Sequence, residues 1–364
     1  MITFIRLLLG HNPVKVHLTV SEHALTTFAD IKCTSLMKLV IQSPGATIRP
    51  NVTEEVICSH SALRSLACGE VTIRALHHLS QFPSLKRLTI SLGDDLPSAL
   101  AFPGSPFRKL RYLTINSKSI GPCLSLLKTA NWSIHCFHHR MDMAYDPVGR
   151  GSLLELLPSQ ISHESLKCIS LYTNAASRRD EERISYVLSP LFSFKYLRIL
   201  ELSGDVVPEL DNSGLQRLAK AWPQLQVLIL QQKGGQYHFP HVDLIGLALL
   251  LEHCRDLHQL ALSVNATIDI KAPPIPPAGS TSNTRITCID FCNSPISKAT
   301  HVAAFLSAIT PNLRDTLSWT GAVVPNSGSS AEEYRRRWES VAEMVPVFSE
   351  VRKQERETCR RRQV

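Results

Sequence analysis

The sequence predicts an α/β solenoid, a fold in which short parallel strands alternate with outer helices. Three observations support this: the pattern Leu-x-x-Leu-x-Leu recurs along the 364 residues, its copies begin about 28 residues apart, and each interval has room for one helix. This spacing is at the upper end of the range of about 20–29 residues for leucine-rich repeats. We therefore expect a leucine-rich-repeat horseshoe of about nine to ten irregular repeats, with parallel short strands and outer helices.

Nine copies of the pattern are clear when Ile, Cys or Phe is accepted in place of Leu. They begin at Leu36, Leu63, Leu85, Leu110, Leu166, Leu197, Leu225, Leu257 and Ile286. A degenerate tenth copy, Trp132-Ser-Ile134-His-Cys136, fills the long gap after Leu110. The position three residues after the last Leu, often Asn or Cys in such repeats, is Asn174, Asp205 or Asn265 in three copies only. The repeats are therefore irregular.

Helices are predicted between the strands. Residues 214–222 place Leu215, Leu218 and Trp222 on one helical face, and Pro223 ends that helix. Asp243 is expected to cap the helix that runs to Cys254. Similarly, Ser297 precedes a predicted helix over residues 298–310. Since no strand–helix pair buries its apolar face alone, stacked repeats would share one continuous core.

The repeats divide the chain into four parts. Residues 1–35 are expected to form an N-terminal cap or partial repeat, and residues 36–320 the repeat array. Within the array, residues 271–283 are rich in Pro, Ser and Gly and are interpreted as a loop insertion. Residues 321–330 are expected to be a linker. Residues 331–364 are expected to form a charged terminal helix, interrupted at Pro346, and a basic tail.

The composition excludes several classes of protein. With 44% hydrophobic and 19% charged residues, the chain is unlike a disordered protein. No apolar run approaches the length of about 20 residues that spans a bilayer, so we expect no membrane association. The ten cysteines are scattered and contain no Cys-x-x-Cys pair. We interpret them as reduced thiols and expect the protein in the cytoplasm or nucleus.

The sequence lacks the common catalytic and cofactor-binding motifs. The sequence has no phosphate loop, no dinucleotide-binding glycine motif, no Gly-x-Ser-x-Gly and no His-Glu-x-x-His, so we expect neither an enzyme nor a cofactor. His135, Cys136, His138 and His139 resemble a metal cluster, but adjacent strand residues point to opposite faces. We interpret them as a strand edge with solvated histidines and expect no metal site.

The predicted function is recognition of a protein. The residues that flank the central Leu of each strand are expected to project onto the concave face of the solenoid. Mixed aromatic, Arg and polar side chains there favour protein binding, because aromatic and Arg anchors dominate interface energies. The candidate partner-binding residues are Lys38, Arg87, Tyr112, Asn116, Tyr172, Glu201, Gln231, Gln259 and Asp290.

The net charge of +8 raises an alternative, a repeat scaffold associated with nucleic acid through its basic tail. Arginines cluster at residues 335–337 and 360–362. Acidic residues such as Glu339 and Glu343 lie between these clusters, and no aromatic stacking platform accompanies them. A solvated helix face is therefore the favoured interpretation, and nucleic acid is not the expected partner.

The C-terminal half resembles a known family. The residues that carry this are Leu-Glu-His-Cys-Arg-Asp-Leu-His-Gln-Leu-Ala-Leu-Ser-Val-Asn-Ala-Thr at 251–267, Asn-Ser-Pro-Ile at 293–296, Val-Ala-Ala-Phe-Leu-Ser-Ala-Ile-Thr-Pro-Asn-Leu at 302–313 and Arg-Trp-Glu at 337–339. Over residues 197–355 the chain resembles the leucine-rich region of F-box-like proteins of mushroom-forming fungi.

The resemblance implies that the repeats select the substrate of a cullin-type (SCF) ubiquitin ligase. In that family an N-terminal F-box contacts the ligase adaptor. The first 35 residues here lack the Leu-Pro-x-Glu-Leu start and the closing Cys-x-x-Trp of an F-box. Contact with the cullin-ligase adaptor is therefore expected only if an F-box is missing from this sequence, and no adaptor-contacting residue can be assigned.

Overall fold

The computed structural model describes residues 13–19, 21–31, 33–42, 48–97, 100–142, 147–173, 187–204, 208, 210–232, 239–267, 282–319 and 328–362. The chain divides into two compact units, Met1–Leu171 and Tyr172–Val364. The described residues form twelve strands and nine α-helices. The predicted α/β class, with short parallel strands, is confirmed.

The first unit is built on parallel strands that pair in sequence order. They are β1 (Lys15–Thr19), β2 (Lys38–Gln42), β3 (Ser65–Glu70), β4 (Arg87–Leu92), β5 (Tyr112–Ser117), β6 (Cys136–Met141) and β7 (Cys168–Thr173), within which the division between the units falls. The helices are α1 (Glu22–Ala29), α2 (Pro50–Ser59), α3 (Ile73–Ser80), α4 (Gly121–Leu127) and α5 (Pro147–Gln160).

The second unit repeats this arrangement. Its parallel strands, also paired in sequence order, are β8 (Ile199–Gly204), β9 (Val227–Gln232), β10 (Gln259–Leu262), β11 (Cys288–Asp290) and β12 (Asp315–Leu317). A 3₁₀ helix, Ser189–Ser193, is followed by α6 (Asn212–Ala221), α7 (Leu244–His253), α8 (Ala299–Ile309) and α9 (Gly328–Arg362). No helix in the described ranges is both long and apolar enough to cross a membrane.

The leucines of the repeat pattern form the core. The strand register of the first unit aligns Leu39, Leu66, Leu88, Leu113 and Phe137, and all five are at most 1% exposed. In the second unit, Leu200, Leu228, Leu260 and Ile289 are aligned and buried in the same way. Consecutive repeats therefore share one buried row of apolar side chains in each unit, as stacking of amphipathic repeats requires.

The degenerate tenth copy is a true strand, but its alignment differs from the predicted one. Ile134, Phe137 and His139 occupy the three inward positions, and all are buried. Cys136, the last residue of the predicted copy, is instead the first residue of the strand; it pairs in register with Tyr112 and is only half-buried. The strand begins at Cys136, so the alternation of its side chains between the two faces of the sheet makes Phe137 its first inward residue. Ile134 lies before the strand.

Helix starts in the second unit depend on aspartate caps. Asp243 Oδ1 accepts hydrogen bonds from the backbone N–H groups of Ile245 (2.8 Å) and Gly246 (3.0 Å), as predicted for the start of α7. A Cβ at Gly246 would overlap the side-chain oxygen of Asn212, so any larger residue there would have to displace the Asn212 side chain. Ser297, in contrast, does not cap α8: its hydroxyl donates to the Thr267 carbonyl.

The C-terminal helix α9 covers the last strands. It is continuous through Pro346, where the sequence predicted an interruption. Trp338 stacks on Phe291 with ring centroids 4.1 Å apart, and its Nε1 donates to the Ser294 carbonyl at 2.9 Å. Arg352 donates to the Ser307 hydroxyl of α8 at 3.1 Å. The apolar end of the second unit is thereby shielded from water.

Several predicted features lie outside the described residues. They are residues 1–12 of the N-terminal cap, residues 271–281 of the loop insertion, residues 321–327 of the linker, Asn174 and Asp205. Asn265 is described, and its side-chain oxygen accepts hydrogen bonds from the N–H and the hydroxyl of Thr267. It therefore stabilises a local turn before the next strand.

Candidate functional site

One face of each unit's sheet carries the side chains that alternate with the buried leucines. We call this the outward face. In the first unit the register places Lys38, Ser65, Arg87, Tyr112 and Cys136 side by side on it, a set that we call the Tyr112 row. All are half-buried or exposed. Three predicted partner-binding residues, Lys38, Arg87 and Tyr112, therefore lie in one line across neighbouring strands.

Tyr112 is held between two neighbours on the outward face. The Arg87 guanidinium carbon lies 4.2 Å from the centre of the Tyr112 ring, a cation–π contact. On the other side, the edge of His135 approaches the same ring with centroids 6.4 Å apart. Because these contacts fix the ring orientation, Tyr112 would lose little side-chain entropy on binding a partner.

The remaining predicted residues of this region, Asn116 and Tyr172, are not members of the Tyr112 row. Asn116 pairs in register with Arg140, whose Nε donates to Asp142 at 3.0 Å. Tyr172 lies near the end of β7 and is half-buried. The structure therefore brings Arg87 and Tyr112 into contact, and places Asn116 on the same face of β5, four residues after Tyr112.

In the second unit the register aligns Glu201, Ile229, Ala261 and Asp290 on the outward face. Gln231 Nε2 donates to Asp290 Oδ2 at 3.0 Å, although the two residues are 59 positions apart and β10 lies between their strands. Asp290 Oδ1 also accepts a hydrogen bond from the N–H of Cys292 (2.7 Å), so both oxygens of Asp290 have partners within the fold. Gln259 is exposed beside them.

The histidines near β6 do not form one cluster. His139 is 4% exposed and its Nε2 lies 2.9 Å from the Ser117 hydroxyl. The interpretation of these histidines as solvated is therefore wrong for His139, because it occupies a position that leucine fills in other repeats. Burial lowers the pKa of His139 to about 4, and the nearby charge of Arg150 adds to this effect.

The outward face of β6 and β7 brings together three metal-binding side chains. Cys136 and His138 point to the same side of β6, and Cys168 is the first residue of β7. One donor atom from each lies within 4.8 Å of the other two. Hydrogen bonding with Cys168, assisted by His138, lowers the pKa of the Cys136 thiol to about 5.

Sequence spacing missed this group because Cys168 is far from Cys136 along the chain. The only signal was the Cys-x-His pair in a predicted strand, next to another strand with a cysteine at the same register position. The ten cysteines all lie in the described ranges, and none of them forms a disulfide. Among those outside this group, Cys288 is half-buried and Cys292 buried, in keeping with their interpretation as ordinary thiols.

The first arginine cluster of the C-terminal helix is engaged within the fold. Arg335 and Arg336 both pair with Glu332, at 2.8 and 3.3 Å. Arg337 pairs with Glu333 and donates to the carbonyl of Ile296 at 2.9 Å. These contacts follow the pattern of i,i+3 and i,i+4 ion pairs on a solvated helix face.

No family model matches the chain, and no curated protein matches it.

Proposed function

We propose that the chain is a non-catalytic leucine-rich-repeat solenoid that binds a protein partner on its outward face. The observation that carries this proposal is the Tyr112 row, in which Lys38, Arg87 and Tyr112 lie side by side and remain accessible. Arg and Tyr are the residue types that most often supply binding energy at protein interfaces. In a leucine-rich-repeat solenoid this face would be the concave one.

The proposed biological role is substrate recognition for an F-box-type ubiquitin ligase. This narrower proposal depends on the resemblance of residues 197–355 to F-box-like leucine-rich regions. It assigns the outward face to the substrate and leaves adaptor contact to an F-box that this sequence does not contain. The protein would then act in the cytoplasm or nucleus, where ubiquitin ligases of this type work.

The test of protein binding is a matched affinity purification from the cells that produce the protein. The double variant Arg87→Ala/Tyr112→Ala removes the cation–π pair. The control, Arg108→Ala/Lys109→Ala, removes two exposed cations just before β5. Circular dichroism and thermal melting verify that both variants are folded. Proteins recovered with the wild type and the control, but lost with the face variant, would support the proposal.

Equal recovery by all three proteins would overturn the assignment of this face. Recovery of nucleic acid that declines steeply with salt would instead favour the scaffold alternative. For the ligase role, purification is repeated with the longest transcript of the gene. Absence of the cullin and its adaptor from that purification would reject the ligase role while leaving protein binding intact.

A further inference from the structure

The group of Cys136, His138 and Cys168 is assembled by the repeat architecture. Residues two apart on a strand face the same side, so Cys136 and His138 both lie on the outward face of β6. The backbone N–H of Cys168 donates to the His135 carbonyl at 3.0 Å, as the N–H of Cys136 does to Arg111 at 3.1 Å. This shared hydrogen-bond pattern places Cys168 next to Cys136 in the following strand.

The distances between the donor atoms suit one metal ion. Cys168 Sγ lies 3.8 Å from His138 Nε2, and the Cys136 sulfur lies within 4.8 Å of both atoms. Zinc bonds of about 2.3 Å to sulfur and about 2.0 Å to nitrogen place two such ligands about 3.6 Å apart. Small side-chain rotations would therefore bring all three atoms to bonding distance of a single ion.

The donor set favours zinc. Two thiolates and one imidazole are soft or borderline ligands, whereas calcium and magnesium prefer oxygen. Three protein ligands are also the number found in zinc sites that keep one position open. Cys168 is 4% exposed, whereas Cys136 and His138 are half-buried, so the group is open on the side of the outward face.

We propose that Cys136, His138 and Cys168 bind one zinc ion, with water in the fourth coordination position on the outward face. This site lies at one end of the Tyr112 row, so a bound partner would have access to the fourth position. The proposal is independent of the proposed function, because it concerns metal binding by the isolated chain. Binding would take both sulfurs as thiolates, and any proton that they still carry would pass to solvent.

The test is metal analysis of the full chain, purified with reductant and without chelator. Zinc content is measured by mass spectrometry, and affinity by competition with a chromogenic chelator. Replacing zinc with cobalt adds a spectroscopic readout, since thiolate ligation produces charge-transfer absorption. We expect one zinc per chain, and a loss of affinity of about tenfold or more in Cys168→Ser and in His138→Gln.

The matched control is Cys288→Ser, which removes another half-buried thiol at the start of an inner strand. We expect it to bind zinc as the wild type does. Circular dichroism identifies any variant that fails to fold, and the use of two ligand variants keeps the test decisive. Equal zinc affinity in the wild type and both ligand variants would overturn the proposal. So would reduced wild-type protein that binds no zinc, or a Cys136–Cys168 disulfide that persists under reducing conditions.

Discussion

The buried imidazole of His139 should make the first unit sensitive to acid. The Ser117 hydroxyl donates its single hydrogen to the Ser119 carbonyl at 2.6 Å, so in the bond between Ser117 and His139 the imidazole Nε2–H donates to the Ser117 oxygen. The surrounding core excludes water, and a charged ring there would lack compensation. The folded state therefore favours the neutral ring.

The sign and size of the effect follow from proton linkage. Burial lowers the pKa of His139 to about 4 in the folded state, against 6.5 for a free histidine. Between these values the unfolded chain binds more protons, so stability is lost as the pH falls through this window. From pH 7 to pH 4.5 the expected loss from this residue is about 2 kcal/mol.

The perturbation is His139→Leu, which places an aliphatic residue where the neighbouring strand has Ile115. Urea unfolding is measured at pH 7 and pH 4.5 with a chelator present, and pulsed hydrogen exchange of peptides from β5 and β6 isolates the first unit. The variant should lose about 2 kcal/mol less stability between these pH values than the wild type does. The exposed His163→Gln serves as the control and should behave like the wild type.

The argument fails if His139→Leu and the wild type lose equal stability on acidification. That result would mean that the imidazole becomes protonated without disturbing the fold, with water or an acceptor reaching the ring.

Two further predictions concern packing in the second unit. Gly246→Ala should lower the free energy of unfolding by about 1–3 kcal/mol, because the new methyl group displaces the Asn212 side chain. Urea unfolding measures this change. The control is Gly121→Ala, where a methyl group would meet open space, and it should change stability little. Trp338→Ala should cost about 3–5 kcal/mol and speed hydrogen exchange in β11 and β12, because it removes the ring stacked on Phe291. The exposed Val347→Ala on the same helix should leave exchange unchanged, and equal exchange in both variants would refute a capping role for α9.

The repeat pattern predicted the inner strands because burial selects leucine at the same positions in each copy. Leu88, Leu113 and Leu200, for example, occupy the predicted inward positions and are at most 1% exposed. The end strands β1 and β12 were missed. At the position of the central leucine, β1 has Val16 and β12 has Thr316, so neither strand carries the full leucine pattern.

Contacts between strands were less predictable than the strands themselves. Spacing along one strand placed Cys136 and His138 on one face, but the thiol of Cys168 reaches them only through strand pairing. The contact of Gln231 with Asp290 likewise joins two strands that are separated by a third. Both depend on the register of parallel strands, which the turn residues and helix lengths of each repeat set jointly.

The repeat that fits the leucine pattern least well holds most of the distinctive chemistry of the first unit. In β6, His139 replaces an inward leucine, while Cys136 and His138 replace the ordinary polar residues of the outward face. A buried histidine with a depressed pKa weakens the core at low pH, so packing alone does not favour it. Local departures from a fold's own pattern often mark functional positions. If zinc stabilises β6 and β7, its binding would offset the cost of His139 near neutral pH. Because acid protonates the ligands and weakens zinc binding, chelation should lower the stability of the wild type more at pH 7 than at pH 4.5, and should change that of Cys168→Ser little.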